Sequence, residues 1–473
     1  MEGNGNTRGE NRMKNKRILV IGLDSAPPEL VFERFLDKMP NTKMMMEWGI
    51  YGNLRSCDPP ITIPAWTVMM TSKSPGKLGA YGFRHRKKNS YKDAWIASSQ
   101  AIRERAVWDI LGDHGKKVCL VGVPPSYPPK AVNGWLISCF ITPDTNRDYT
   151  YPVELRKEIE ELVGNYLIDV EFRTDEKEGL LREIYEMTEK RFKVIKHLIK
   201  TRDWNFFMFV EIGLDRIHHA FWKFFDEEHH LYQPKNRFED TIQNYYQFLD
   251  KEIGDLLSLI DEDMLVLVVS DHGAKRMKGA FCINEWLIKK GYLTLKKNVE
   301  KVTDIENAEI DWSKTIAWGW GGYYARIFLN LKGREEQGII EPQDYDKVRE
   351  RLAEEIRQIR GPNGEKWDNK VFKPEELYKE CRGDPPDLMV YFDDLYWRSA
   401  GTIGHGTLNL PENDTGPDDA VHARDGIFLL YDPKKKYGKR VDVNILDIAP
   451  TILHLMDSSV PRDMEGKVIV EDL

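Results

Sequence analysis

The chain alternates short, continuously apolar runs with longer stretches in which apolar positions recur every three to four residues. Continuous β-branched runs are typical of strands covered on both faces, and the longer period is typical of amphipathic helices. The predicted strands are 17–23, 117–123, 135–139, 205–212, 264–270, 325–331, 388–392 and 426–431. The predicted helices are 101–113, 180–201, 240–260, 345–359 and 445–456. This alternation predicts an α/β fold with a doubly wound, mostly parallel sheet.

The sequence contains no low-complexity linker and no repeat of the length that marks solenoids. Residues 1–16 are polar and are predicted to form a flexible N-terminal tail. Residues 17–473 are predicted to form one large domain. Within it, glycine, proline and charged residues become denser over residues 279–398, which predicts a smaller inserted lobe there.

The charge balance narrows the possible partners. The net charge is −8, from 69 basic and 77 acidic residues that are interspersed along the chain, which argues against a stable nucleic-acid complex. The longest apolar runs are shorter than the ~18 residues that a membrane span needs, so no membrane partner is expected. The composition does not specify an oligomeric state.

Five cysteines are scattered without CxxC spacing. This pattern predicts reduced thiols and a cytoplasmic location, and it argues against a cysteine zinc site.

Polar residues follow three of the predicted strands. Asp24 follows the first strand, Asp215 and His219 follow strand 205–212, and Asp271 and His272 follow strand 264–270. A single aspartate in such a place is commonly a helix cap or a turn residue. Ligands of open α/β sheets bind at the carboxyl ends of the strands, however, so three such exits together predict a site there.

Asp215 and His219 are four residues apart, so a helix beginning near Asp215 would place both side chains on one face. His218 would then point about 100° away. Histidine combined with carboxylate suits Zn²⁺ and related transition metals better than Mg²⁺ or Ca²⁺.

Two such metal sites would need a further histidine. The candidates in the C-terminal third of the chain are His405, in "GTIGHGTLNL", and His422, in "DDAVHARDGIFLLYDP". A pair of cations about 4 Å apart suits phosphoryl chemistry, because one can activate a nucleophile while the other stabilises the leaving oxygen.

The segment "CDPPITIPAWTVMMTSKSPGKLGAYGF" offers hydroxyl nucleophiles. They are Thr62, Thr67, Thr71 and Ser72. Pro64 is tolerated in the first turn of a helix, so the Thr62 hydroxyl would lie at a positive helix end, where a metal could ionise it for attack on phosphorus. A plain N-cap threonine would have the same sequence pattern.

These motifs, in this order, resemble the alkaline phosphatase superfamily, and more narrowly the type I phosphodiesterase and nucleotide pyrophosphatase family. The resemblance is carried by "GLDSA", "PPITIPAWTVMMTSKSPGKLGAYGF", "GLDRIHHAFW", "VVSDHGA" and "HARDGIFLLYDP", and it extends along nearly the whole chain. It implies an alkaline phosphatase-like three-layer αβα sandwich with a mostly parallel central sheet and an inserted smaller lobe.

The resemblance further implies a two-metal hydrolase of phosphodiester or nucleotide pyrophosphate bonds in small molecules. One zinc would be held by Asp215, His219 and His422, and a second by Asp24, Asp271 and His272. Manganese is the alternative metal. Thr62 would contact the second metal and act as the nucleophile. His422 is preferred to His405 because it stands shortly before "GIFLLYDP", as the late histidine of the family does.

The sequence departs from the family in one relevant place. Nucleotide pyrophosphatases usually carry an asparagine some way after the nucleophile, which helps to hold the transition-state oxygen. Here Ala65 and Trp66 stand three and four positions beyond Thr62, which puts that extra donor, and with it a nucleotide substrate, in doubt.

Two other functions stay open. A phosphotransferase resembling cofactor-independent phosphoglycerate mutase would share the metal ligands but use a serine, and a catalytically silent, metal-stabilised binding protein would keep the ligands alone. A sulfatase is disfavoured, because that chemistry needs a cysteine or serine followed by proline and arginine.

Two further motifs have alternative interpretations. The aromatic run "WGWGGYY", 318–324, could stack a substrate ring or simply pack at a loop. The basic run "FRHRKK", 83–88, could attract phosphate or form a solvated turn.

Overall fold

The structure is a computed structural model that describes residues 16–469. Its strands are β1 Arg17–Leu23, β2 Ile50–Arg55, β3 Arg84–Arg86, β4 Ala94–Ile96, β5 Val118–Val121, β6 Gly134–Ile137, β7 Thr150–Tyr151, β8 Phe206–Glu211, β9 Met264–Val269, β10 Gly273–Arg276, β11 Gly279–Cys282, β12 Ala317–Trp320, β13 Ala325–Leu329, β14 Lys370–Phe372, β15 Leu388–Tyr391, β16 Trp397–Ala400, β17 Asn409–Leu410, β18 Ala420–Ala423, β19 Asp425–Tyr431, β20 Lys439–Arg440 and β21 Val443–Asn444.

The α-helices are α1 Pro40–Trp48, α2 Thr62–Thr71, α3 Pro75–Leu78, α4 Val107–Asp113, α5 Leu155–Val163, α6 Lys177–Thr201, α7 Gly213–Phe225, α8 Thr241–Leu257, α9 Ile283–Lys289, α10 Tyr345–Arg357, α11 Pro374–Leu377 and α12 Ile448–Leu455. A π-helical turn covers Glu29–Arg34. None of the helices among the described residues is both long enough and apolar enough to cross a lipid bilayer.

The central sheet has the strand order β20-β2-β19-β9-β1-β8-β5-β6-β7, and β21 also pairs with β2. Strands β9, β1, β8, β5 and β6 run parallel to one another, whereas β19 is antiparallel to both β9 and β2, and β7 is antiparallel to β6. The middle strands are almost completely buried, because helices cover both faces of the sheet. The sheet is therefore mostly parallel, as predicted.

Alternate residues of β1 enter two separate hydrophobic cores. Leu19 and Ile21 pack on the side that carries α6, α7 and α8, whereas Ile18 and Val20 pack on the side that carries α2, α4 and α12. The period of two along a strand thus divides one apolar run between two layers of helices. The result is a three-layer arrangement of helix, sheet and helix.

A second, four-stranded sheet of order β12-β13-β15-β14 lies within residues 279–398. It is antiparallel and packs with α10 around a third core that includes the buried Trp318. The predicted bounds of the inserted lobe stay a prediction. Of the predicted N-terminal tail, residues 1–15 lie outside the described residues.

Three of the predicted helices agree with α6, α8 and α10 to within three residues at each end, whereas the other two differ in where or how they begin. The helix predicted over 101–113 begins only at Val107, where the Asp109 carboxylate accepts a hydrogen bond from the Ala106 backbone N–H and caps the first turn. The helix predicted over 445–456 opens with a 3₁₀ turn, Ile445–Asp447, before α12. The backbone and side chain of Asn444 cap that turn, which explains the tighter start.

Replacement of Gly273 tests how closely the backbone packs where the chain passes from β9 into β10. A Cβ at Gly273 would lie 2.3 Å from the Asp425 carbonyl oxygen and 3.3 Å from Pro27 Cα, so the backbone would have to move. We expect Gly273→Ala to lower the free energy of unfolding by about 1–3 kcal/mol, measured by urea denaturation. Gly179→Ala in α6 is the matched control, because its Cβ would meet only the Arg182 guanidinium at 4.0 Å. Equal stability of the Gly273→Ala and wild-type proteins would contradict this packing.

Candidate metal centre

The three strand exits that carry acidic residues are neighbours in the sheet. Strand β1 lies between β8 and β9, and all three run in parallel. Asp24 follows β1, Asp271 and His272 follow β9, and α7, which begins directly beyond β8, carries Asp215 and His219. Their side chains meet at the carboxyl edge of the sheet, where ligands of such folds bind.

His422 reaches the same place from a distant part of the sequence. It lies on β18, which pairs antiparallel with β10 so that His422 stands opposite Ala274. This pairing stacks the His422 ring on His272, with centroids 3.7 Å apart and an interplanar angle of 18°. The β10–β18 pair therefore brings the last predicted ligand to the strand exits.

Asp215, His219 and His422 form the first group of side chains, with ligand atoms within 4.8 Å of one another. The His219 Nε2 lies 3.2 Å from Asp215 Oδ1, and the His422 Nε2 lies 3.9 Å from that same oxygen. All three residues are buried, with at most 2% of their surface exposed. Their arrangement suits a single cation bound by two imidazoles and a carboxylate.

Asp24, Asp271 and His272 form the second group, again with ligand atoms within 4.8 Å of one another. The His272 Nε2 lies 3.2 Å from Asp271 Oδ2 and 3.7 Å from Asp24 Oδ1. The Thr62 hydroxyl lies 3.3 Å from the same nitrogen, at the first residue of α2. The structure thus brings together all seven side chains predicted for the site; their roles as ligands and nucleophile stay predictions.

Each of the six side chains in the two groups uses one polar atom to contact the surrounding protein and directs another toward the other members of its group. The hydrogen-bonding pairs are Asp24 Oδ2 with Trp66 Nε1 (2.7 Å), Asp271 Oδ1 with the Ser25 N–H (3.3 Å), Asp215 Oδ2 with Arg216 Nη1 (2.7 Å), His219 Nδ1 with Asp418 Oδ1 (2.7 Å), His272 Nδ1 with the Gly273 carbonyl (3.0 Å) and His422 Nδ1 with the Pro60 carbonyl (2.8 Å). These contacts orient the candidate ligands, and the carbonyl and carboxylate acceptors favour a proton on each Nδ1, so that each Nε2 keeps the lone pair that a metal would need.

Four of the atoms directed inward are buried and have no hydrogen-bond partner among the described residues. They are Asp24 Oδ1, Asp215 Oδ1, Asp271 Oδ2 and His422 Nε2. Burying a carboxylate oxygen without a hydrogen-bond partner costs about 1–3 kcal/mol of lost solvation free energy, and more when the group is charged. Divalent cations would satisfy all four atoms, so the donor set fits a two-metal site.

The pKa values of the candidate ligands show that negative charge at Asp24 and Asp271 is disfavoured. Burial, followed by the charge of Asp215, raises the pKa of Asp24 well above its usual value, and burial with the charge of Asp24 does the same for Asp271. Burial lowers the pKa of His272 to about 4. Burial would also raise the pKa of Asp215, but His219 and Arg216 more than offset it, so that pKa is lowered. Positive charge between the groups would favour the ionised carboxylates and neutral histidines that metal binding requires.

The other candidate side chains lie outside the two groups. The hydroxyls of Thr67, Thr71 and Ser72 donate to the carbonyls of Ile63, Thr67 and Leu446, so Thr62 alone among the four predicted hydroxyls faces the ligands. The His405 ring contacts the Thr402 hydroxyl. The His218 ring contacts the Tyr246 hydroxyl, which agrees with its predicted direction away from Asp215.

Asp418 and Trp66 are among the residues that contact candidate ligands and that the sequence analysis did not single out. Asp418 binds His219 and is itself bound by Arg173 and Arg398. Trp66 occupies a position where the family was expected to offer a different donor, and its indole N–H binds Asp24. Neither residue has a spacing that distinguishes it, because both contacts form between segments far apart in sequence.

The aromatic residues of the run 318–324 lie in two different environments. Trp318, Trp320 and Tyr324 are buried in packing, with at most 4% of their surface exposed. Tyr323 instead extends to the first group, where its hydroxyl lies 3.3 Å from His219 Nε2 and its ring stacks on His422 at 3.7 Å. A residue of the predicted lobe therefore contacts the candidate metal centre.

The chain is similar to known proteins both in sequence and in fold. A family model described as type I phosphodiesterase / nucleotide pyrophosphatase matches residues 18–418. The human ectonucleotide pyrophosphatase / phosphodiesterase 5 structure superposes with a TM-score of 0.56 at 12% identity, covering 96% of this chain and 97% of that chain. The murine protein of that name, as an inactive variant in complex with AMP, gives a TM-score of 0.56 at 14% identity, covering 94% and 96%. These superpositions confirm the predicted fold class.

Short segments also match curated 2,3-bisphosphoglycerate-independent phosphoglycerate mutases. The match to the protein of Bacteroides thetaiotaomicron is 30% identical over 67 residues, 14% of this chain and 13% of that protein. The match to the protein of Bacteroides fragilis strain ATCC 25285 is 32% identical over 62 residues, 13% and 12%. The aligned part of the chain thus spans only about an eighth of the length of these mutases.

Replacement of Asp418 tests whether it orients His219. We expect Asp418→Asn to weaken metal binding about 10–100-fold, because the amide no longer supports the ring as a charged acceptor. The measurement is zinc affinity by competition with a chromogenic chelator. Asp419→Asn is the matched control, since its carboxylate contacts Lys223 and no ligand side chain. Equal zinc affinities of the two variants would show that Asp418 does not support the site.

Proposed function

Since the chain belongs to the type I phosphodiesterase / nucleotide pyrophosphatase family, we propose that it hydrolyses phosphodiester or nucleotide pyrophosphate bonds in small molecules with the help of two divalent cations. The observation that carries this proposal is the set of four unpaired, buried ligand atoms at adjoining groups. The AMP complex of the murine relative supports a nucleotide as one substrate.

In this proposal, one cation is held by Asp215, His219 and His422, and the other by Asp24, Asp271 and His272. Zinc is the preferred metal because each group combines imidazole and carboxylate, and manganese is the alternative. When bound, such a metal pair neutralises charge on the reacting phosphoryl group and favours ionised oxygen nucleophiles.

Thr62 is the proposed nucleophile. Its Oγ1 attacks phosphorus and displaces the leaving group, and water then hydrolyses the threonine ester. Two features support this role: the hydroxyl lies 3.3 Å from His272 Nε2, and it belongs to the first turn of α2, whose positive end favours an anionic phosphoryl group. The protein scaffold fixes this hydroxyl, because Thr62 is only 3% exposed.

Phosphoryl transfer of the mutase type is the second candidate function. The short matches to phosphoglycerate mutases support it, since they extend the resemblance to enzymes that move a phosphoryl group rather than release it. The threonine at the nucleophile position favours the hydrolase. We also propose a reducing, cytoplasmic environment, which the five free cysteines support.

Metal content and turnover test the proposed function together. We expect the purified protein to contain about two zinc or manganese ions per chain and to cleave bis(p-nitrophenyl) phosphate faster than p-nitrophenyl phosphate. Chelator should abolish both reactions, and added metal should restore them. Bound metal without hydrolysis of either compound would favour a mutase or a binding protein, and a protein that binds no metal would contradict the assignment.

Replacement of the nucleophile separates chemistry from metal binding. We expect Thr62→Ala to keep both metals but to lose turnover by about 10³-fold or more, because no hydroxyl remains to attack phosphorus. Elemental analysis and the rate of p-nitrophenolate release are the two measurements. Thr67→Ala is the control on the same helix, since its hydroxyl only donates to the Ile63 carbonyl. Normal turnover by Thr62→Ala would transfer the nucleophilic role to another group.

A further inference from the structure

A cavity of about 390 Å³ opens beside the candidate metal centre. Ile61, which precedes the proposed nucleophile, and Tyr323, whose hydroxyl contacts His219, both line it. A group attached to the reacting phosphorus would therefore extend into this cavity. The chemistry of its walls indicates what that group is.

Guanidinium groups cover the aromatic rings of the cavity. Arg173 and Arg216 lie 4.7 and 4.5 Å from the Phe172 centroid, and Arg398 lies 4.2 Å from that of Tyr323. Arg326 and Arg84 both lie against Trp320, at 5.3 and 5.7 Å. All five arginines line the cavity.

This arrangement disfavours a stacked base. A nucleobase gains most from an open aromatic face, on which it can lie flat. Cations lie over the rings of Phe172, Tyr323 and Trp320, so these rings offer a base less open surface. The walls consequently offer N–H donors and positive charge next to these rings.

The positive charge is not fully paired. Arg173 and Arg398 share the single carboxylate of Asp418, which also binds His219. Arg398 is only 4% exposed, and its Nε has no hydrogen-bond partner among the described residues. Arg326 donates to the carbonyls of Arg84 and Gly321, and no ion pair joins it to a carboxylate of the described chain.

The acidic residues of the cavity do not supply the missing partners. Glu306 pairs with Arg84. Asp414 accepts hydrogen bonds from the backbone of Gly401 and from Thr402. Asp304 is exposed to solvent, where water screens its charge. The buried Arg398 Nε and the Arg326 guanidinium, which has no carboxylate partner among the described residues, thus remain available in the cavity wall.

We propose that this cavity receives a second oxyanion of the substrate, distinct from the phosphoryl group at the metals. The substrate class is then a small phosphodiester or pyrophosphate whose group next to the reacting phosphorus carries a phosphate or a carboxylate, since planar guanidinium forks pair with both. This inference rests on the proposed hydrolase function and narrows it.

Four chromogenic diesters test the inference. They are p-nitrophenyl ethyl phosphate, its analogues with a terminal phosphate and with a terminal carboxylate, and the p-nitrophenyl ester of thymidine 5′-phosphate. We expect at least one anionic analogue to exceed the ethyl ester by ten-fold or more in kcat/KM, and the ratio of the two anionic analogues identifies the preferred oxyanion. A preference for the thymidine ester, with no gain from either anion, would overturn the inference.

Variants of Arg326 test whether the preference for an anionic substrate arises in this cavity. We expect Arg326→Gln to reduce the anionic-to-ethyl ratio of kcat/KM at least five-fold, and Arg326→Lys, which keeps the charge, to retain part of it. Arg440→Gln on β20 is the control, because that side chain contacts Asn53 and Asp442 outside the cavity. An unchanged ratio in Arg326→Gln would remove Arg326 from the proposed oxyanion site.

Failure of the hydrolase proposal gives a different result. In that case the metal-loaded protein would cleave none of the four esters. Calorimetry on the metal-loaded protein would then still compare ethane-1,2-diol bisphosphate with ethyl phosphate. Binding of the bisphosphate at least ten-fold tighter, lost in Arg326→Gln, would support the oxyanion site independently of turnover. Equal binding of the two compounds would overturn it.

Discussion

Three buried carboxylates at the edge of one sheet are the constraint on which the site depends. Asp24, Asp215 and Asp271 are at most 2% exposed, and each keeps one oxygen without a hydrogen-bond partner among the described residues. Such a cluster is unfavourable unless protons or cations neutralise it. The surrounding contacts do not offset this cost for Asp24 and Asp271, whereas His219 and Arg216 do so for Asp215. The contacts fix the second oxygen of each carboxylate and leave the first directed toward the other candidate ligands.

The local part of this design was readable from the sequence. A strand that is buried on both faces has to be continuously apolar, so its end is visible, and polar residues directly beyond it lie at the ligand-binding edge. Asp24, Asp271 and His272 were found by that rule, and Asp215 with His219 by helical spacing. The family and the fold class were predicted from the ordered motifs, and both were confirmed.

The parts that depend on distant contacts were not readable. Asp418 and Trp66 contact the candidate ligands His219 and Asp24 from distant parts of the chain, and no spacing in the sequence connects these pairs. The start of α4 was misplaced because a cap at Asp109 decides it, rather than the apolar period. The sequence did not show which residues of the aromatic run 318–324 pack and which reach the site. In the structure, β12 buries Trp318 and Trp320 in the third core, whereas Tyr323 contacts His219.

The central claim is that the two groups of side chains bind two metal ions. Anomalous X-ray diffraction at the zinc edge, from a crystal of the zinc-loaded protein, tests it most directly. The account predicts two peaks, one contacting Asp215, His219 and His422 and the other contacting Asp24, Asp271 and His272. Absence of a peak from either group, or zinc bound only elsewhere, would contradict it.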